Sequence, residues 1–173
     1  MGTLGESVVP RLRHYDNEGT ARFVTFGCYR GLPFLANDLA KRLFLEELDR
    51  TRRKHGFRLL GYVLMPEHVP LVLHPPNAMP LGLVVREMKS CTARRYFADM
   101  SVGRPGETRV FWQKRCYDHN CRTTETTLEK INYCHNNPLR RSLVAEPGQW
   151  YWSSYSCYLG VSDVPLIVDR IEL

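Results

Sequence analysis

Residues 57–74 read Phe57-Arg58-Leu59-Leu60-Gly61-Tyr62-Val63-Leu64-Met65-Pro66-Glu67-His68-Val69-Pro70-Leu71-Val72-Leu73-His74. Two apolar, extended runs, Phe57–Met65 and His68–His74, are separated only by Pro66-Glu67. A gap that short leaves room for a tight turn alone, so the runs predict an antiparallel hairpin. Upstream, Ala21–Tyr29 is rich in Phe, Val, Thr and Tyr and reads as a strand, which Gly31-Leu32-Pro33 breaks. Asn37 then predicts a cap for a helix running to about His55, with Leu39, Leu43, Phe44 and Leu48 at helical spacing. Gly56 supplies its stop. Downstream, Pro75-Pro76-Asn77 ends the hairpin, and a second helix is expected over about Leu81–Asp99. Gly103–Thr108 reads as a loop, and Val110-Phe111-Trp112 as a short strand leading to Tyr117-Asp118-His119. A third helix starts near Thr124–Thr126, where Thr126-Thr127-Leu128-Glu129 has capping-box spacing, and should end at Asn137 because Pro138 follows. The aromatic stretch Trp150–Tyr155 should pack against the body. Strands preceding helices, with one tight hairpin, predict an α+β fold on an antiparallel sheet.

The chain has 173 residues, which favours one domain. We divide it into a basic arm (1–20), a domain (21–160) and a tail (161–173). The longest apolar run, Leu59–Pro66, stops at eight residues, too short for a membrane span. The first residues lack the apolar core of a signal peptide, so a cytoplasmic protein is expected. Nineteen of the 24 cationic residues are Arg, and the net charge is +6. Arg grips phosphate oxygens with a planar fork and stacks on bases, so a phosphate-rich partner fits. A codon preference for Arg explains the excess equally well. The six cysteines form no Cys-x-x-Cys, and no second His follows His135 at finger spacing, so they read as small hydrophobes. No Walker loop, His-Glu-x-x-His or Gly-x-Gly-x-x-Gly occurs.

Three features remain as candidates for chemistry. His68 opens the second hairpin strand. Tyr133 and Asn137 stand four residues apart, one turn along the same face of the third helix. Asp118-His119 lies beside an Arg-rich, aromatic segment. Each has an ordinary alternative: a surface His, an amphipathic Tyr, and an Asn at a helix end. Arg86, Lys89, Arg94 and Arg95 on the second helix could be a solvated face or a DNA contact, as could Arg115 and Arg122.

Taken in order, the pieces resemble a family. Gly61-Tyr62-Val63-Leu64-Met65-Pro66-Glu67-His68-Val69 looks like the metal-binding strand of the HUH tyrosine transposases, in particular the REP-associated branch. Agreement extends through Tyr15-Asp16-Asn17-Glu18-Gly19, Phe23-Val24-Thr25-Phe26, Asp118-His119-Asn120-Cys121-Arg122, Tyr133-Cys134-His135-Asn136-Asn137-Pro138-Leu139-Arg140 and Trp152-Ser153-Ser154-Tyr155. The resemblance implies a ferredoxin-like antiparallel sheet with helices packed on it. It implies cleavage and rejoining of single-stranded or hairpin DNA through a 5′-phosphotyrosine intermediate, with Mg²⁺ or Mn²⁺. Carried over, Tyr133 is the nucleophile, and His68 and Asn137 are metal ligands; Asp118 and His119, on the neighbouring strand, are candidate supporting residues. DNA contacts fall to Arg86, Lys89, Arg94, Arg95, Arg115 and Arg122. Dimers with sites completed between subunits occur in the wider family, so a homodimer is compatible.

One position departs from the pattern. The family's second metal-binding His falls where this chain has Pro70. Proline offers no side-chain ligand, and lacking an N–H it is expected at an unpaired strand edge. His74 shares the face of His68, but six residues of strand is about 20 Å, too far for one metal shell. The alternative function is therefore a degenerate or domesticated relative that binds DNA without cutting, using Arg contacts and stacking by Phe111, Trp112 or Trp150. RNA binding is a further alternative.

Overall fold

The computed structural model describes residues 19–100 and 109–171. Residues 1–18 of the expected arm, including Tyr15–Glu18, and the Gly103–Thr108 loop lie outside the described residues. The elements run β1 (Ala21–Gly27), α1 (Asp38–His55), β2 (Arg58–Tyr62), β3 (His68–His74), α2 (Leu81–Asp99), β4 (Tyr117–Cys121), α3 (Thr124–Arg140) and a one-turn α4 (Tyr155–Tyr158). The sheet order is β2-β3-β1-β4, and every neighbouring pair is antiparallel. Each βα unit skips a place that another strand fills, which is the interleaved ferredoxin-like arrangement expected.

Local chemistry sets the ends of these elements. The Asn37 side chain accepts hydrogen bonds from the N–H groups of Leu39 and Ala40 at 2.8 and 3.3 Å, closing the first turn of α1. Gly56 adopts φ 71° and its N–H reaches Arg52 O at 2.8 Å, a left-handed cap that a Cβ would strain. Thr123, rather than Thr126, caps α3 by accepting from the Thr126 N–H.

Alternation along the strands splits the core in two. Val24 and Phe26 of β1 and Val69, Leu71 and Leu73 of β3 pack toward α1 and α2. Phe23 of β1 and Val72 of β3 pack on the opposite face, toward Ile131 and Cys134 of α3. Each large apolar side chain buried in this way contributes roughly 1.5–3 kcal/mol. α3 sits close to the sheet: a Cβ on Gly61 would lie 3.2 Å from Ile131 Cγ1.

Four sequence expectations change. β1 ends at Gly27, because the chain turns through Arg30 and Gly31, both at positive φ (53° and 69°). Residues 110–112 form no strand, only a single bridge between Cys28 and Trp112. Phe111 stacks on Phe34 and Trp112 meets Phe26 edge-on, so the two rings plug the core instead of joining a ladder. They are therefore buried and closed to base stacking, while Trp150 donates its indole N–H to Leu64 O at 3.1 Å. α3 continues past Pro138 to Arg140. The ring removes one N–H within the last turn, and Arg141 N–H still reaches Asn137 O at 3.0 Å.

Pro70 is the fourth. It sits in central strand β3, not at a sheet edge. The Cys28 N–H bonds Glu67 O, so by alternation the nitrogen at position 70 faces away from β1, toward Val63. Val63 N–H donates to Pro70 O at 3.2 Å, but the return bond has no donor. β2 ends one residue earlier, at Tyr62, and on its other edge Val63 bridges Ser153. The tail follows this edge, with Leu64 N–H on Trp152 O, Ser154 N–H on Tyr62 O and Asp169 N–H on Leu59 O. Covering β2 in this way satisfies backbone that would otherwise be an open edge. Among the described residues no helix is long and apolar enough to cross a membrane. All six cysteines are free.

Candidate active site

His68 and Pro70 alternate with Val69 and Leu71, which belong to the α1/α2 core, so positions 68 and 70 face α3. Tyr133 reaches the same side of the sheet. Its ring stands edge-on to Phe23 with centroids 5.6 Å apart, and 38% of the residue is exposed. Asn137 follows one turn on and is buried. Arg141, a further turn along, places Nη1 2.7 Å from Glu67 Oε1. That same oxygen lies 3.2 Å from His68 Nδ1. The ladder Tyr133, Asn137, Arg141 therefore advances about 6 Å per step along the helix toward the start of β3. Nucleophile candidate, helix ligand candidate and His68 share one layer.

The electrostatics there are specific. Burial pushes the His68 pKa down, partly opposed by Glu67, so the ring is held toward its neutral form. With Nδ1 turned to Glu67, Nε2 is the ring nitrogen left for another partner. A cleft of about 680 Å³ opens beside His68, between Gly27, Arg115 and Tyr117. Tyr117 is exposed and stacks nearly parallel on His119, with centroids 6.4 Å apart and a 4° interplanar angle. Phe23 touches both Tyr117 and Tyr133, giving a short aromatic row on this face. Tyr117 and Arg141 escaped sequence reasoning. Alternation along 117–121 puts Tyr117 beside His119, but the partner strand was needed to show which face that is.

Asp118 lies on the other side of the sheet. It is buried with Arg22, and the two form an ion pair in which Arg22 Nε also donates to Oδ1 at 3.0 Å. The expected DNA-contacting cations separate likewise. Arg95 is held by Glu46 and Glu47 at 2.6 and 2.9 Å. Lys89 Nζ donates to Gln113 O at 2.6 Å, and Arg94 meets Cys91 Sγ at 3.3 Å. Arg86 is exposed on α2, in the layer opposite Tyr133. Arg115 lines the His68 cleft, and Arg122 lies exposed beside the cap of α3.

His135, next to the candidate metal ligand and nucleophile in sequence, turns elsewhere. Its Nε2 lies 2.9 Å from Ser154 Oγ, and Tyr155 and Tyr158 flank the ring. Ser154 also accepts from Tyr62 N–H at 3.0 Å, so this pair ties α3 to the tail and to β2. Burial depresses the His135 pKa to about 4.

Comparison with known proteins agrees with this architecture. The family described as "Transposase IS200 like" matches residues 18–137. A REP-associated tyrosine transposase bound to a REP hairpin is similar in structure, with TM-score 0.72, 18% identity and 95% of each chain covered. A putative transposase from Deinococcus radiodurans R1 is more distant, with TM-score 0.51, 18% identity, and coverage of 78% of this chain and 97% of that one. No curated protein matches by sequence.

Proposed function

The chain belongs to the IS200-like transposase family, and from that premise we propose that it binds single-stranded or hairpin DNA and cuts it with Tyr133. The observation that carries this reading is the partly exposed Tyr133 on the layer that also holds Asn137 and His68. In the proposed step, the Tyr133 hydroxyl oxygen forms a bond to the scissile phosphorus and its proton passes to water. The bond from phosphorus to the 3′ oxygen breaks, and that oxygen takes a proton from water and leaves as a 3′-hydroxyl. The 5′-phosphotyrosine conserves the ester, so a second 3′-hydroxyl can reverse the step onto another strand. Arg115 lines the cleft with charge that suits phosphate.

The donor set fits a hard ion shared with the substrate, not a resident metal. His68 Nε2 and the Asn137 amide are two donors, and Pro70 adds none. Among the described residues no group of three His, Cys, Asp or Glu side chains gathers. Mg²⁺ and Mn²⁺ take few protein ligands and complete their shell with water and phosphate oxygens. Bound there, such an ion would polarise the scissile phosphate.

A 3′-labelled hairpin oligonucleotide tests the reading. Cutting leaves the 3′-labelled fragment on the protein, as a band that survives denaturing electrophoresis, whereas a 5′ label leaves free. Tyr133→Phe should abolish the band. An adduct persisting in Tyr133→Phe refutes the nucleophile. Binding without any adduct instead establishes the second reading, a DNA-binding protein that does not cut, which Pro70 favours.

A further inference from the structure

Cations on the α1 and α2 layer are mostly neutralised. Arg50 is paired with Glu47 and Glu87, Lys54 with Glu87, Arg53 with Asp49, and Arg95 with Glu46 and Glu47. One group is not. A groove of about 420 Å³ between α2 and residues 109–116 is lined by Arg86, Lys89, Arg109 and Lys114, with no carboxylate in its lining. Lys89 and Arg109 donate only to the carbonyls of Gln113 and Phe97, which leaves their charge uncompensated. Among the described residues, none of the four is in an ion pair. Four like charges in a concave site focus a positive potential.

This groove and the cleft at His68 lie on either side of one segment, since Gln113 and Cys116 line both. Tyr117, exposed and stacked on His119, stands on the His68 side of that segment. We propose that the groove is the exit track for the single strand that flanks the scissile phosphate. The strand leaves the His68 cleft, passes Tyr117 with a base stacked on its ring, crosses Gln113–Cys116, and seats its phosphates on the exposed Arg86, Arg109 and Lys114, with buried Lys89 adding charge from beneath. This assignment rests on the DNA-binding reading above. It replaces the α2 surface around Arg95 with the opposite flank of the same helix.

The test is the salt dependence of binding. Arg86→Gln with Lys114→Gln removes two cations that make no hydrogen bond among the described residues, and matching thermal midpoints verify that the variant is folded. Each lost single-strand phosphate contact lowers the slope of log K against log salt by about 0.7, so the double variant should lose about 1.4. That loss should appear with a hairpin carrying a single-stranded extension and vanish with the same hairpin made blunt. Arg95→Gln, whose guanidinium is held by two glutamates, should leave the slope alone. An unchanged slope in the double variant, an equal loss with the blunt hairpin, or an equal loss in Arg95→Gln each overturns the track. Tyr133→Phe separates this from the cutting reading: it removes the covalent adduct and keeps the wild-type slope, so either claim can fail without the other.

Discussion

Removing the Asp118 carboxylate should cost stability and not chemistry. Asp118 and Arg22 are 2% and 1% exposed at their side chains, on the α1/α2 side of the sheet, next to the apolar row of Val24 and Leu73. Asp118→Ala would remove the carboxylate that Arg22 pairs with across β1 and β4. Breaking one side of a buried pair costs about 3–5 kcal/mol. A domain holds only about 5–15 kcal/mol in total, so the loss is a large part of it. Replacing both residues by apolar ones of similar volume, as in Arg22→Met with Asp118→Leu, should recover most of the loss, because neither charge then has to be desolvated. Urea unfolding measures this, with an unchanged slope marking a true stability effect. The cycle of single and double variants yields the coupling between the two side chains directly. Enough folded Asp118→Ala should remain at low temperature to form the DNA adduct at the wild-type rate per folded molecule. If Asp118→Ala unfolds at the wild-type urea concentration yet forms no adduct, the carboxylate serves the Tyr133 site and its placement on the far face is refuted.

Two further outcomes follow from the same geometry. His135 is neutral in the fold, with its pKa lowered from 6.5 to about 4, so its contribution is complete above pH 6.5 and is lost as the pH falls toward 4. The full shift corresponds to about 3 kcal/mol. His68 is shifted in the same direction, whereas the lowered carboxylates Glu47 and Glu87 begin from 4.5 and act below it, leaving a window above them to the histidines. Stability measured from pH 6.5 down to pH 4.5 should therefore fall less steeply in His135→Gln than in the wild type; parallel curves would contradict the assignment. Pro70→His should place a second imidazole on the face of His68 and tighten Mn²⁺ binding by about tenfold or more, a gain of at least about 1.4 kcal/mol, read by calorimetry without DNA. No gain would show that the two positions do not converge on one ion.

The hairpin, α1 and the whole span of α2 were legible because each carries its own punctuation: Pro66-Glu67, Asn37 with Gly56, and Pro75-Pro76 before the helical run. What escaped depends on partners distant in sequence. Asp118 and His119 are adjacent, and only the pairing of Phe23 with His119 and Val24 with Asp118 decides which of them faces α3. Phe111 and Trp112 have strand-like composition, yet the space beneath Phe34 and Phe26 claims their rings. The rule that a helix ends before proline failed at Pro138 because the lost bond falls in the final turn, where Arg141 can still close the helix on Asn137. Arg95 and Arg86 look alike in the sequence of α2; the glutamates of α1 that hold Arg95 and miss Arg86 are 48 and 49 residues before Arg95 in the chain.

Pro70 shows how far scaffold and site are independent here. A proline inside a central strand ordinarily costs a ladder hydrogen bond on each chain. At position 70 the missing donor faces Val63, one residue beyond the end of β2. Val63 keeps its own N–H on Pro70 O, and Met65 N–H reaches His68 O, so β3 holds this segment on both sides of the gap. The loss is confined to one hydrogen bond at the end of the β2–β3 ladder. Pro70 is buried, and by alternation its side chain is directed to the layer of Tyr133 and His68. Exchanging it addresses the chemistry while leaving β3, α3 and the cationic groove in place.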